Sequence, residues 1–267
     1  MNKIEELVEK VGKKFLPRVK SDEGTYSVDA ADLYYRDLNV LLRALSNNGA
    51  ENIKVQNVYG QRYIGTDVDK QIGIDIDGTP GNDLGAFMNG PTVVVHGNAQ
   101  DCCGNTMNDG CIIVHGHAGD VTGYSMRGGK MFVRDDVGYR VGIHMKEYMD
   151  KKPCIVIGGT AGDFLGEYMA GGVMVVLGLN LGEQEKHQAR FVGTGMHGGV
   201  IYVRGEASHL SKEVKATPVE KEDMHVIGEL VSEFCEYFGF DYDDVMKGSF
   251  TKIAPVSSRP YGNLYAY

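Results

Sequence analysis

The sequence predicts an all-β protein, a right-handed single-stranded parallel β-helix of about seven coils with helical capping segments at both ends. Three observations carry that expectation. A glycine is followed three residues later by a methionine at Gly85/Met88, Gly104/Met107, Gly123/Met126, Gly142/Met145, Gly166/Met169 and Gly193/Met196, with spacings of 19, 19, 19, 24 and 27 residues. A fixed period near twenty is the mark of stacked repeats. After each pair comes a short apolar strand, and 37 glycines suit a body dense in turns.

Strand side chains alternate between faces with period two. One face reads Val93/Val95, Ile112/Val114, Met131/Val133, Ile155/Ile157, Met174/Val176 and Ile201/Val203, never polar, so it faces a core. Earlier copies place Ile53, Val55, Ile74 and Ile76 inward and Asp75 and Asp77 outward. The opposite face is mixed: Val94, Ile113, Phe132, Val156, Val175 and Tyr202, then His96, His115, Arg134, Gly158, Leu177 and Arg204. A 19-residue unit is too short for a βαβ element, which needs about 30 residues. It accommodates one coil of short strands joined by tight turns, and such coils bury their apolar faces only by stacking. Strands about 4.8 Å apart make seven coils a rod on the order of 30 Å long. The glycines fit turns with positive φ or close backbone approach. The methionines fit an internal ladder filling the bends. A left-handed hexapeptide helix is disfavoured because 19 is not a multiple of six.

The flanks read as caps over residues 1–50 and 206–267, with the β-helix over 51–205. Ile4, Leu7, Val8 and Val11 mark a first helix, and Leu38, Leu41, Leu42 and Leu45 a second, stopped at Gly49. Met224, Ile227, Leu230, Val231, Phe234 and Phe238 mark a third, begun after Pro218 and ended by Gly239. The tail from Ser249 through Tyr261 is irregular. Open β-helix ends expose strand edges, which such segments cover.

Bulk composition narrows the function. The net charge of −9 argues against a nucleic-acid partner. No apolar run approaches the roughly 20 residues of a membrane span, and the acidic-amphipathic Met1–Glu6 is not expected to act as a signal peptide. Five cysteines with no C-x-x-C pair make neither a disulfide framework nor a zinc site. A cytoplasmic location is expected.

The chemically suggestive motifs weigh little. Gly193-Thr194-Gly195-Met196-His197-Gly198 matches the dinucleotide fingerprint in letters, but it opens a strand where that fingerprint must open a helix. His96 and His115 share a column between Asp77 and Arg134 and could approach one metal; an exposed polar column is the favoured reading. Cys102 and Cys103, with Cys111, read as small apolar residues. Gly158–Asp163 is similar to a calcium nonapeptide turn, present once where such sites need tandem copies. No catalytic, cofactor or metal residue is assigned, and no activity is expected of the chain alone.

The recurring Gly-x-x-Met-x-x-Gly pattern resembles the G-x-G-x-G β-helix domain at the carboxyl end of the glutamate synthase large subunit. The specific stretches are Gly166-Glu167-Tyr168-Met169-Ala170-Gly171-Gly172-Val173 through Val176-Leu177-Gly178, with alanine where the family has threonine, and Gly193–Val200. Asn57-Val58-Tyr59-Gly60-Gln61-Arg62-Tyr63-Ile64-Gly65 and the Lys252-Ile253…Arg259-Pro260-Tyr261 tail are similar to free-standing versions of that domain, so the resemblance covers roughly residues 25–267. It implies a scaffold whose partner chains carry the glutaminase site, the FMN barrel and an iron–sulfur cluster. With Met1-Asn2 at its start, the chain is not expected to carry the glutaminase's N-terminal cysteine nucleophile. The C-type subunit of formylmethanofuran dehydrogenase, with molybdenum or tungsten partners, shares the same coils and stays as an alternative. A self-standing homo-oligomer with a ligand site on the His96/His115 face is a third.

Overall fold

The computed structural model describes residues 12–182 and 185–258. The expected helix at Ile4–Val11 and the end of the tail from Arg259 lie outside the described residues. A 3-10 turn (Lys13–Arg18) leads into the antiparallel pair β1 (Val19–Asp22) and β2 (Thr25–Asp29), followed by helix α1 (Tyr35–Asn47). Then come β3 (Asn52–Tyr59), β4 (Gly73–Thr79), β5 (Asn89–Val95), β6 (Asp109–Val114), β7 (Lys130–Val133), β8 (Cys154–Ile157), β9 (Ala170–Val176), β10 (His187–Val192) and β11 (Gly198–Arg204). The chain continues through β12 (Ala207–Leu210), β13 (Val214–Pro218), helices α2 (Lys221–Phe238) and α3 (Tyr242–Met246), and β14 (Phe250–Pro255).

Nine strands, β2 through β9 and then β11, stack in parallel as neighbours in one sheet, giving a parallel β-solenoid of about eight turns. The extra turn comes from β2, whose Tyr26 and Val28 register with Ile53 and Val55. From β4 to β8 the apolar triplets keep one register, with Ile74, Val93, Ile112, Met131 and Ile155 forming one column; the one irregularity, between Asn89 and Thr92 in the β5–β6 pair, precedes the triplet. All sixteen expected inward residues are buried, as are Met88, Met107, Met126, Met145, Met169 and Met196. The inner core and the methionine ladder are therefore as the period implied.

Each coil turns through left-handed residues spaced by two. Asp83, Gly85 and Phe87 have φ of 63°, 65° and 60°, and the pattern recurs at Cys102, Gly104 and Thr106. The glycine is required at the middle position of the turn: a Cβ on Gly85 would meet Ile112 and the Met88 sulfur inside the bore. The outer members point away from the core and can carry side chains, at a backbone strain of about 1–2 kcal/mol each.

The ends are closed differently. α1 places Leu38, Leu41, Leu42 and Leu45 at helical spacing into the inner core beside Val28 and Ile53, plugging the bore. Its chain reverses at Gly49, φ 88°. At the far end Val192, Val214 and Ile253 seal the core. There β14 pairs antiparallel with β11 and with β13, terminating the parallel stack.

The C-terminal helix is present where its period placed it, between Pro218 and Gly239, but it does not sit on the end of the rod. It lies along the outer sheet face. Its Ile227, Leu230, Val231 and Phe234 pack on Ile113, Phe132, Val156, Val175 and Tyr202 as a second core. The half-apolar outer face thus has its cover. Asp223 fastens the helix start, accepting from the Glu220 N–H (2.9 Å), the Tyr202 hydroxyl (2.6 Å) and Lys252 Nζ (2.8 Å). Burial alone would raise this carboxyl, but Lys252, Tyr202 and the Glu220 N–H outweigh it and hold its pKa below the usual range.

Candidate functional site

The histidine column is the first candidate. His96 and His115 sit on neighbouring coils with rings stacked at 5.4 Å. His96 Nε2 lies 2.9 Å from Asp75 Oδ2, not beside Asp77, because the side chain reaches diagonally across the neighbouring strand. His115 is half-buried, with the Phe238 ring edge-on at 5.1 Å. His115 alone departs from the expected open polar column; Asp77, His96 and Arg134 are exposed. Burial, with the nearby His96 and Arg134, lowers the His115 pKa, so the neutral ring is favoured. The arrangement is an aromatic stack under the end of α2. Among the described residues, no group of three or more His, Cys, Asp or Glu side chains could hold a metal ion.

The cysteines do not converge. Cys103 is buried in the bore and burial pushes its thiol up to about 12. Cys102 occupies a left-handed corner at the surface, φ 59°. Cys111 and Cys154 lie under α2 on the outer face, pushed up by burial to about 12 and about 11. Reactive thiols need the opposite shift.

The two glycine-rich stretches are turns. Gly193 and Gly195, φ 74° and 67°, lead into strand β11 and to no helix. A Cβ on Gly195 would fall on the Tyr168 ring. In Gly158–Asp163, Asp136 Oδ1 accepts from Thr160 N (2.6 Å), Thr160 Oγ1 (2.9 Å) and Asn180 Nδ2 (2.9 Å), which occupies that carboxylate with protein donors.

A feature that sequence reasoning missed explains the corner polar residues. Side chains of one coil accept backbone N–H groups of the next: Asn98 from His117 (2.9 Å), Asp101 from Asp120 (2.9 Å), Asp120 from Tyr139 (2.8 Å), Asp136 from Thr160 and Asp163 from Arg190 (2.8 Å). The 19-residue recurrence of Asp101 and Asp120 was the available signal. These carboxylates complete backbone hydrogen bonding at corners where ladder pairing stops.

The class defined by these features is a glycine-cornered parallel β-solenoid with a solid, methionine-filled bore. Within that class the chain belongs to the GXGXG motif family, whose model matches residues 45–256. An uncharacterized protein of Methanocaldococcus jannaschii is 49% identical over 248 residues, covering 89% of this chain and 95% of that one. The fold is also similar to a chain in the crystal structure of the formyltransferase/hydrolase complex from Methylorubrum extorquens in complex with methylofuran. That match has a TM-score of 0.59 at 18% identity, over 90% of this chain and 98% of the other. No described helix is long and apolar enough to cross a membrane.

Proposed function

We propose that the chain is a non-catalytic structural subunit of a glutamate synthase-type complex, holding partner chains that carry the glutaminase site and the FMN barrel with its iron–sulfur cluster. The observation that carries this reading is the fate of the most specific family stretch, Gly166–Gly178. Glu167 ties to Arg140 Nε at 2.9 Å, and Tyr168 stacks on His144 at 5.3 Å and covers Gly195. Met169 fills the bore, and Ala170–Val176 form a rung. Every one of these roles joins one coil to the next. A stacked rod resists bending and offers long faces for docking, which suits a spacer.

A second reading is supported by the fold likeness to a chain of the formyltransferase/hydrolase complex: a scaffold in a formylmethanofuran dehydrogenase-type assembly. One experiment separates them. Affinity co-purification of the native chain from its own cells, with mass spectrometry of the eluate, should recover glutaminase and FMN-barrel chains. Recovery of molybdenum- or tungsten-containing or formyl-transferring chains would move the assignment to the second reading. Turnover of glutamine or 2-oxoglutarate by the isolated chain would overturn the non-catalytic role in both.

A further inference from the structure

The coil between Gly142 and Gly166 is five residues longer than the three 19-residue coils before it (24 against 19), and the extra residues fall between Met145 and Cys154. They form a tight projecting turn in which Tyr148 and Lys151 exchange backbone hydrogen bonds at 3.1 and 3.0 Å. Met149 stands at its tip, 84% exposed and in the left-handed region, φ 56°. Tyr148 and Phe87, the latter also left-handed, are about half exposed (48% and 51%) and line the same cleft of about 380 Å³. Asp67, Asp69 and Asp150 line it too. The single cation of the lining, Lys151, is taken up by Asp109 Oδ2 (2.9 Å) and Asn89 Oδ1 (3.1 Å), which also pin the turn to the rod.

From this we infer that the cleft between Phe87 and the Tyr148–Lys151 turn is the docking site for a segment of a partner chain that carries an arginine or lysine flanked by apolar side chains. The inference rests on the reading of the chain as a subunit of a complex. Neither exposed Met149 nor exposed Phe87 is required by the fold: glycine would relieve the strain of a left-handed backbone at both. Methionine and aromatic side chains are characteristic of interface centres, and a turn already fixed by hydrogen bonds loses little entropy on docking. Asp69 is already paired with Lys70 at 3.4 Å, and Asp67 and Asp150 against one neutralised ammonium still select a cationic segment and repel nucleic acid.

The test uses the full tagged chain expressed in its own cells, as wild type, Phe87→Ala/Met149→Ala and Asp67→Asn/Asp69→Asn/Asp150→Asn. Recovery of each co-purifying chain is measured per bait, and crosslinks from Lys152 are mapped. The inference expects at least a tenfold loss of one partner chain with the first variant and a severalfold loss with the second, at unchanged melting temperature. It also expects Lys152 crosslinks to a basic segment flanked by apolar residues. Should the alanine pair lower the melting temperature, Met149→Glu at the exposed tip replaces it with the same expected loss. Undiminished recovery in all variants, crosslinks only to acidic or uncharged segments, recovery of no partner, or binding only of a second copy of this chain would each overturn it. Recovered chains other than glutaminase and FMN-barrel chains, lost in the variants, would overturn the glutamate synthase assignment and leave the docking site standing.

Discussion

The outer core is as consequential as the bore, and Phe234→Ala tests that. Phe234 is completely buried between α2 and the sheet, with Phe238 and Phe240 at ring distances of 4.8 and 5.5 Å. Its ring fills the space that a Cβ on Gly158 would need, so a cavity opens against a β-sheet backbone that cannot move inward. Phe→Ala in such a site costs about 3–5 kcal/mol, through lost transfer energy and residual cavity. The two aromatic neighbours can relax by rotation, which places the expectation near the lower half of that range. Urea unfolding followed by circular dichroism gives the loss by linear extrapolation, and hydrogen exchange localises it to α2 amides and to β7–β9. Tyr59→Ala, at a 92% exposed position, serves as the control and should stay within about 0.5 kcal/mol. A loss below about 1 kcal/mol for Phe234→Ala, or unchanged exchange in α2, would refute the account of a helix held by a second core.

Other perturbations read other parts of the fold. Val114→Asp puts a carboxylate into the bore between Val95 and Val133, where no partner exists among the described neighbours; a loss of several kcal/mol in chemical denaturation is expected. His115→Ala removes the ring between His96 and Phe238, and should cost about 1 kcal/mol where a surface histidine would cost less. Gly78→Ala combines φ 119° with a collision against the Val58 carbonyl oxygen of the neighbouring coil, and should lower stability by about 2–5 kcal/mol. For pH, burial lowers the pKa of both His115 and His187, so the unfolded chain binds more protons as pH falls through the ordinary histidine value near about 6.5. Stability should therefore fall on acidification from pH ~7.5 to ~5.5, and a His115→Phe/His187→Gln variant should show a flatter urea midpoint across that window.

The inner architecture was legible because two independent signals repeat in phase, the period-two strand face and the Gly/Met corner. Each coil faces the same constraint, so noise in one copy is corrected by the next. The outer face broke that logic. Ile113, Phe132, Val156 and Val175 stood in outward columns beside His115 and Arg134, and a stack of identical coils gives no reason for apolar residues there. The reason comes from α2, whose Phe234 lies 102 residues beyond Phe132, in a segment outside the repeat. His115 was misjudged for the same reason, since Phe238 reaches it from that helix. The corner carboxylates stayed invisible because their partners are backbone N–H groups, which carry no letter in a sequence.

On the proposed docking role, stability and recognition are carried by different parts of the chain. In a stack, each coil needs from its neighbour only the glycine corner, the methionine and the apolar strand, and any sequence that supplies these extends the rod. A face made only of repeats presents the same surface at every level and cannot tell one partner position from another. Distinction has to come from departures from the period. The two long coils are those departures: five extra residues between Met145 and Cys154, and eight (27 against 19) between Val176 and Gly193. Both insertions leave the Gly/Met columns and the inward strand register intact. The pairing runs unbroken from β7 through β8 to β9, and Ile201 and Val203 of β11 still meet Met174 and Val176. The rod thus keeps its strand pairing across both insertions, which is the property the proposed spacer needs if it is to fix more than one partner at defined places along its length.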